Sequence, residues 1–100
     1  MKAYMLMTAP GPIVILTSHA SILDDALIKK LAAKDIEKFV AYEIPIGLAK
    51  HRYGEHFSVV RGDLRETNDL CVLDDDPYRA FKLFRFDELG SPLAYERAAS

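Results

Sequence analysis

The chain has 100 residues, of which 50% are hydrophobic and 28% are charged, and its formal net charge is -2. This balance is typical of one globular domain and argues against intrinsic disorder. Without a basic excess, nucleic-acid binding is an unfavoured function class. The apolar runs are shorter than the roughly 20 residues that span a bilayer, and Pro10-Gly11-Pro12 interrupts the N-terminal run too early for a signal peptide.

These features predict a single compact, soluble domain over residues 1–96, a frayed tail over residues 97–100 and a cytoplasmic location without membrane attachment. Cys71 is the one cysteine of the chain and lies in the apolar run Leu70–Leu73. We predict a buried core thiol, since no cation or base is adjacent to it in sequence. A small secreted domain would carry several cysteines.

The first half of the chain predicts a hairpin, a helix and a third strand. Apolar segments at Ala3–Thr8 and from Ile13 to Leu16 flank the turn signal Pro10-Gly11-Pro12. A helix is predicted from Ser21, whose hydroxyl can cap it. Its apolar stripe has helical spacing and consists of Leu23, Leu27, Ile28 and Leu31. The third strand is predicted at Lys38–Ile44.

The second half predicts a shorter helix that begins at Pro45 and stops at Gly54, followed by three strands. These strands are predicted at 57–60, 70–73 and 81–86, with a polar loop at 61–69. The fold class is α+β, two-layer, with a mixed sheet of about five or six strands and two helices in the order β-β-α-β-α-β-β-β.

Polar side chains follow the ends of three predicted strands. Thr17, Ser18 and His19 follow the second strand, Glu43 closes the third, and Arg61 and Asp63 follow the fourth. If these strands are parallel, their C-terminal ends lie at one edge of the sheet, where ligands bind in α/β folds.

At this edge His19 is a candidate acid or base, oriented by Glu43 or Asp63. Ser18, His19 and Arg61 are candidate ligand-binding residues, with Arg61 binding an anion. In the alternative interpretation, which we favour, Thr17, Ser18 and Ser21 satisfy N–H groups at the helix start and His19 lies on the surface.

Three further clusters have ordinary structural explanations. His51, Glu55 and His56 lack a further histidine nearby to complete a zinc site. The run Asp74-Asp75-Asp76 precedes a proline, as turn residues do, and lacks the alternation of an EF-hand. The basic run Lys50–Tyr53 suits a solvated helix end. No metal is predicted and no cofactor is indicated.

The sequence does not decide between an enzyme and a binding protein. We expect a non-enzymatic interaction or regulatory module that self-associates, because the predicted strands are apolar on both sides and no catalytic set stands out. The partner is then a second copy or another protein. The alternative is a small enzyme or small-ligand binder with a site at the C-terminal ends of the central strands.

Overall fold

The computed structural model describes residues 1–67 and 70–97, with five strands, three α-helices and one turn of 3-10 helix at Phe86–Glu88. The strands are β1 (Lys2–Thr8), β2 (Gly11–Thr17), β3 (Lys38–Ile44), β4 (Leu70–Asp74) and β5 (Pro92–Glu96). The helices are α1 (Asp25–Ala33), α2 (Ile46–Thr67) and α3 (Pro77–Leu83). In this described part of the chain, no helix is both long and apolar enough to cross a membrane.

The strands form one sheet in the order β4-β2-β1-β3-β5. The α+β class is confirmed, and every described pairing is antiparallel. The predicted hairpin is also confirmed, with Lys2 opposite Thr17 and Thr8 opposite Gly11. Gly11 has φ 140, a value that L side chains rarely adopt, which explains the glycine after the turn.

Helices cover both faces of the sheet, so the molecule has three layers where the sequence predicted two. Tyr4 and Leu6 pack in one core cluster with Leu27 and Leu31 of α1. Alternate residues of β1 point to the opposite face, where Met5 belongs to a second cluster built with α2 and α3. We call these faces the α1 face and the α2 face.

The predicted strand at 57–60 and loop at 61–69 are wrong, because α2 continues through this region to Thr67. Gly54 interrupts the helix with φ 52 and ψ -125 but does not end it. Phe57 is 2% exposed and packs in the α2-face cluster. A short apolar run does not distinguish a strand from a buried helical turn.

The predicted strand at 81–86 is also wrong. Asp76 caps α3 by accepting from the backbone N–H groups of Tyr78 and Arg79, and Pro77 occupies the first turn. The last strand is instead β5, which pairs with β3. The helix predicted from Ser21 begins at Asp25, with Asp24 as its cap.

The element order is therefore β-β-α-β-α-β-α-β, with the sixth strand of the predicted order replaced by a helix. The ladder between β3 and β5 is extended by the Arg97 backbone N–H, which donates to the Glu37 carbonyl at 2.9 Å. Residues 98–100 of the predicted frayed tail lie outside the described residues.

Candidate functional site

The ends of β2 and β3 lie at the same edge of the sheet. Both strands run antiparallel to β1, which lies between them, so they point in the same direction. Lys2 is opposite Thr17, and Tyr4 is opposite Glu43. The start of β1 is therefore flanked on one side by the residues that follow β2 and on the other by the last residues of β3.

Arg61 and Asp63 do not follow a strand. Their backbone is part of α2, and their side chains lie outside the described part of the structure. The strand that was to bring them to this edge does not form, so the basis for grouping them with His19 and Glu43 is lost.

Asp24 is the carboxylate that the structure places beside His19. His19 Nδ1 lies 3.4 Å from Asp24 Oδ1, and the His19 backbone N–H donates to Thr17 Oγ1 at 3.1 Å. The same Asp24 oxygen accepts from the Ala26 N–H at the start of α1. The predicted orienting residues, Glu43 or Asp63, are thus replaced by the capping residue, whose N–H donates to the Ser21 carbonyl at 3.2 Å in the turn before α1.

The alternative interpretation assigned the hydroxyl groups of the loop after β2 to N–H groups at the helix start, and the structure shows two of them accepting from other N–H groups. Ser21 Oγ accepts from the Leu23 N–H at 3.2 Å, and Thr17, fully buried, holds the loop at His19. These are N–H groups of the loop, while the first turn of α1 is capped by Asp24. Ser18 lies within this loop, between β2 and α1.

A pocket of about 300 Å³ opens where the strand ends meet, and we call it the strand-end pocket. It lies between the start of β1, the end of β3, the start of β5 and the loop before α1. Its apolar lining includes Ala41 and Leu93, and its polar lining comes from Lys2, Tyr4, Ser21, Glu43 and Ser91.

Lys2 and Glu43 form an ion pair in the lining of the strand-end pocket, which Tyr4 shares. Lys2 Nζ lies 3.0 Å from Glu43 Oε1, and this hydrogen bond raises the pKa of the Lys2 ammonium. Burial raises the pKa of the Tyr4 hydroxyl, and the charge of Lys2 offsets part of this effect. Both groups therefore stay protonated at neutral pH and are poor general bases, so the arrangement suits binding better than proton transfer.

The sequence reasoning missed Lys2, Tyr4 and Ser21 as pocket residues. Lys2 and Tyr4 are two apart on a strand, so they share a face, and this signal was readable. Their pairing with Glu43 depends on the β1–β3 register, which is not encoded locally because β2, α1 and three connecting segments lie between these strands.

A second polar cluster is structural. Asp74, whose side chain is 5% exposed, lies 3.3 Å from the Arg79 Nε and accepts from the Tyr53 hydroxyl at 3.3 Å. Burial and the Asp74 charge raise the pKa of Tyr53. Asp74 also accepts from the Asp76 N–H at 3.0 Å. The predicted turn chemistry of the acidic run is thus confirmed, and its role in capping α3 was not predicted.

The basic run Lys50–Tyr53 is partly used inside the fold. The Arg52 guanidinium donates to both carboxylate oxygens of Glu88 at 2.7 Å and to the Leu83 carbonyl. Glu55 and His56 have side chains outside the described part. Across the residues that are described, no group of three or more side chains could hold a metal ion.

A larger depression, of about 540 Å³, lies beside β5 at the other end of the sheet. Met7, Val40 and Ala94 give it an apolar lining, and Lys38 and Glu96 stand at its rim with 4.0 Å between their charged groups. We call it the β5 depression.

Comparison with known proteins gave no significant match to any family model, curated protein or solved structure.

Proposed function

We propose that the protein is a non-enzymatic interaction module whose copies associate with each other along β5. The observation that carries this proposal is the outer edge of β5, a strand at the end of the sheet that pairs with β3 without a register shift. The strand lies at the end of the sheet beside β3, and four of its five residues are exposed. Such an edge presents unpaired backbone groups that can bind a further strand.

The register of β3 and β5 decides which backbone groups face outward. Arg97 donates to the carbonyl of Glu37, its partner in the ladder. Because hydrogen-bonded residues alternate in an antiparallel ladder, Leu93 and Tyr95 also bond toward β3. Pro92, Ala94 and Glu96 therefore direct their backbone groups away from the sheet, and of these only proline lacks an N–H.

The other edge of the sheet is less suited to pairing. In the β2–β4 ladder, Val14 is opposite Asp74 and Ile15 is opposite Val72, so Leu73 forms a bulge. A bulge twists a strand and interrupts its outer row of hydrogen-bonding groups. The ladder between β3 and β5 runs without a register shift, which favours β5 as the interaction edge.

Two copies of β5 are complementary when they pair antiparallel about a two-fold axis at Ala94. The two Ala94 residues then exchange hydrogen bonds, and each Glu96 N–H reaches the Pro92 carbonyl of the second copy. Leu93, 39% exposed, lies opposite Tyr95 of the second copy, and such an aromatic–aliphatic pair contributes about 0.2–1 kcal/mol. This register sets no like charges opposite each other.

The β5 depression is a second observation in favour of the β5 edge as the interaction surface. It lies on the α2 face beside Ala94, and its lining is apolar. Pairing at Ala94 would join the depressions of two copies into one continuous apolar surface, which is a feature of protein interaction sites.

The experiment is a measurement of molar mass by light scattering from low to high micromolar concentration. We expect the wild-type protein to shift from monomer to dimer and Ala94→Pro to remain a monomer. Proline removes an N–H that the monomer does not use, so the edge of the sheet tolerates it. The control is Ala94→Val, which keeps the N–H and favours a strand.

Circular dichroism and thermal unfolding of both variants check that each is folded. A wild-type protein that stays monomeric at high micromolar concentration overturns the proposal. So does an Ala94→Pro variant that is folded and associates as strongly as the wild type.

A further inference from the structure

We propose that the strand-end pocket binds a small zwitterion of the α-amino-acid type with a short apolar side chain. Lys2 and Glu43, held side by side at its wall with Leu93 and Ala41 nearby, carry this inference. The proposal does not depend on association through β5, because residues of one chain form the whole pocket.

The size of the pocket restricts the ligand. Its volume of about 300 Å³ is at the lower end of the range for small-molecule sites, about 300–1,000 Å³. Most of a peptide or a nucleotide would remain outside it. A ligand with a few carbon atoms and two polar groups fills it.

The charges of the pocket select a zwitterion. Lys2 and Glu43 are opposite charges whose side chains are 43% and 48% exposed, so both can contact a ligand as well as each other. A purely anionic or cationic ligand is attracted by one of them and repelled by the other. An α-amino acid carries its carboxylate and its ammonium on one carbon. This short spacing matches the neighbouring Lys2 ammonium and Glu43 carboxylate.

The hydrogen-bonding capacity is sufficient for both ends of such a ligand. The Lys2 ammonium has three donors, of which Glu43 Oε1 uses one in the absence of a ligand, so all three are available to a carboxylate that displaces Glu43. The second oxygen of Glu43 can accept from an ammonium. The Tyr4 hydroxyl lines the pocket and has a proton that it can donate to a ligand oxygen.

Breaking the Lys2–Glu43 ion pair to admit a ligand costs little free energy. Exposed pairs contribute little to stability, because solvent screens them and both side chains lose freedom. A zwitterion that inserts between Lys2 and Glu43 replaces one weak contact with two charge-assisted hydrogen bonds. The apolar side chain of the ligand then lies against Leu93 and Ala41.

The test is an NMR titration of the full chain with L-valine, isovalerate and isobutylamine. We expect L-valine to shift the amide signals of Lys2, Tyr4, Ser21 and Glu43. Each of the other two probes lacks one charged group of valine. Since a hydrogen bond to a charged group is worth enough to change affinity by about tenfold, both should bind about tenfold more weakly.

Glu43→Gln is the matched variant, with Glu37→Gln as its control. Glu37 forms a comparable exposed ion pair with Arg97, at 2.7 Å, and it does not line the pocket. We expect Glu43→Gln to weaken L-valine binding by about tenfold and Glu37→Gln to leave it unchanged, with both variants folded by circular dichroism.

Three results would overturn the proposal: no shifts at the pocket with L-valine, equal binding of all three probes, or equal effects of the two substitutions. None of these depends on molar mass. Failure of this site and failure of β5 association are therefore separate outcomes.

Discussion

Arg52 and Glu88 join α2 to the segment that leads into β5. Both oxygens of Glu88 accept from the Arg52 guanidinium at 2.7 Å, and one also accepts from the Arg85 N–H at 3.1 Å. The guanidinium also lies over the Phe84 ring, 5.1 Å from its centroid. These contacts hold the 3-10 turn against the helix and so position the chain before β5.

The same contacts make the stability of the protein depend on pH. The Arg52 hydrogen bonds, followed by the Arg85 N–H, lower the pKa of Glu88 from 4.5 to about 2. A carboxyl with a lowered pKa in the folded state binds fewer protons there than in the unfolded chain. Its contribution is therefore present above about pH 4.5 and is lost as the pH falls toward 2.

We expect the free energy of unfolding to fall less steeply between pH 4.5 and 2 in Glu88→Gln than in the wild type. Denaturant unfolding at a series of pH values measures this difference. Asp87→Asn is the control, because Asp87 is exposed and its carboxylate pairs with Arg85 rather than with Arg52. Parallel pH profiles for wild type and Glu88→Gln would show that the Arg52 contact does not stabilise the fold.

At the scale of the elements, α2 is two helical segments joined at Gly54. This residue has φ 52 and ψ -125, a conformation open to glycine and strained for other residues. The kink lies between two buried aromatic residues, Tyr53 and Phe57, that both pack in the α2-face cluster. It allows the two segments to follow the twisted sheet.

Gly54→Ala should therefore destabilise the protein by about 1–3 kcal/mol, the cost of a strained backbone. The strain is conformational, since an added Cβ at Gly54 meets no atom within 4 Å. Gly47→Ala is the control, because it lies in the same helix, has the same space and has no positive φ. Thermal and denaturant unfolding compare the two. A Gly54→Ala variant as stable as Gly47→Ala would contradict the proposed strain.

The elements that sequence predicted well are those with strong local signals. The third strand was predicted at Lys38–Ile44, which is where β3 lies, because a charged residue and a proline border its apolar run. The hairpin of β1 and β2 follows from its turn residues. The predictions failed at 57–60 and 81–86, where short apolar runs fit either periodicity and only packing decides between them.

At the scale of the whole molecule, one antiparallel sheet has a core on each side. The radius of gyration of the protein is 12.8 Å, which agrees with the value of about 13 Å for a folded domain of 100 residues. Helices α2 and α3 cover the β4 and β2 side of the α2 face, where their contacts with strands are concentrated. The β3 and β5 side of that face keeps the β5 depression open, beside the proposed interaction edge.

Association along β5 should make thermal stability depend on protein concentration. Because a dimer stabilises the folded state by mass action, the Tm of the wild type should rise between low and high micromolar protein. Differential scanning fluorimetry measures this, and Ala94→Pro should give a Tm independent of concentration. A constant wild-type Tm across that range would argue against association through β5.

The sequence alone determined the α+β class, the first hairpin, the position of β3 and the turn role of the acidic run, because each depends on neighbours along the chain. It also indicated Glu43 and the loop at His19 as residues of strand ends. Only the tertiary structure decided that Lys2 and Tyr4 join Glu43 in one pocket, that Asp24 lies beside His19, and that β5 is the regular edge. These features depend on strand order and register, which are set by the packing of distant segments and leave no local pattern in the sequence.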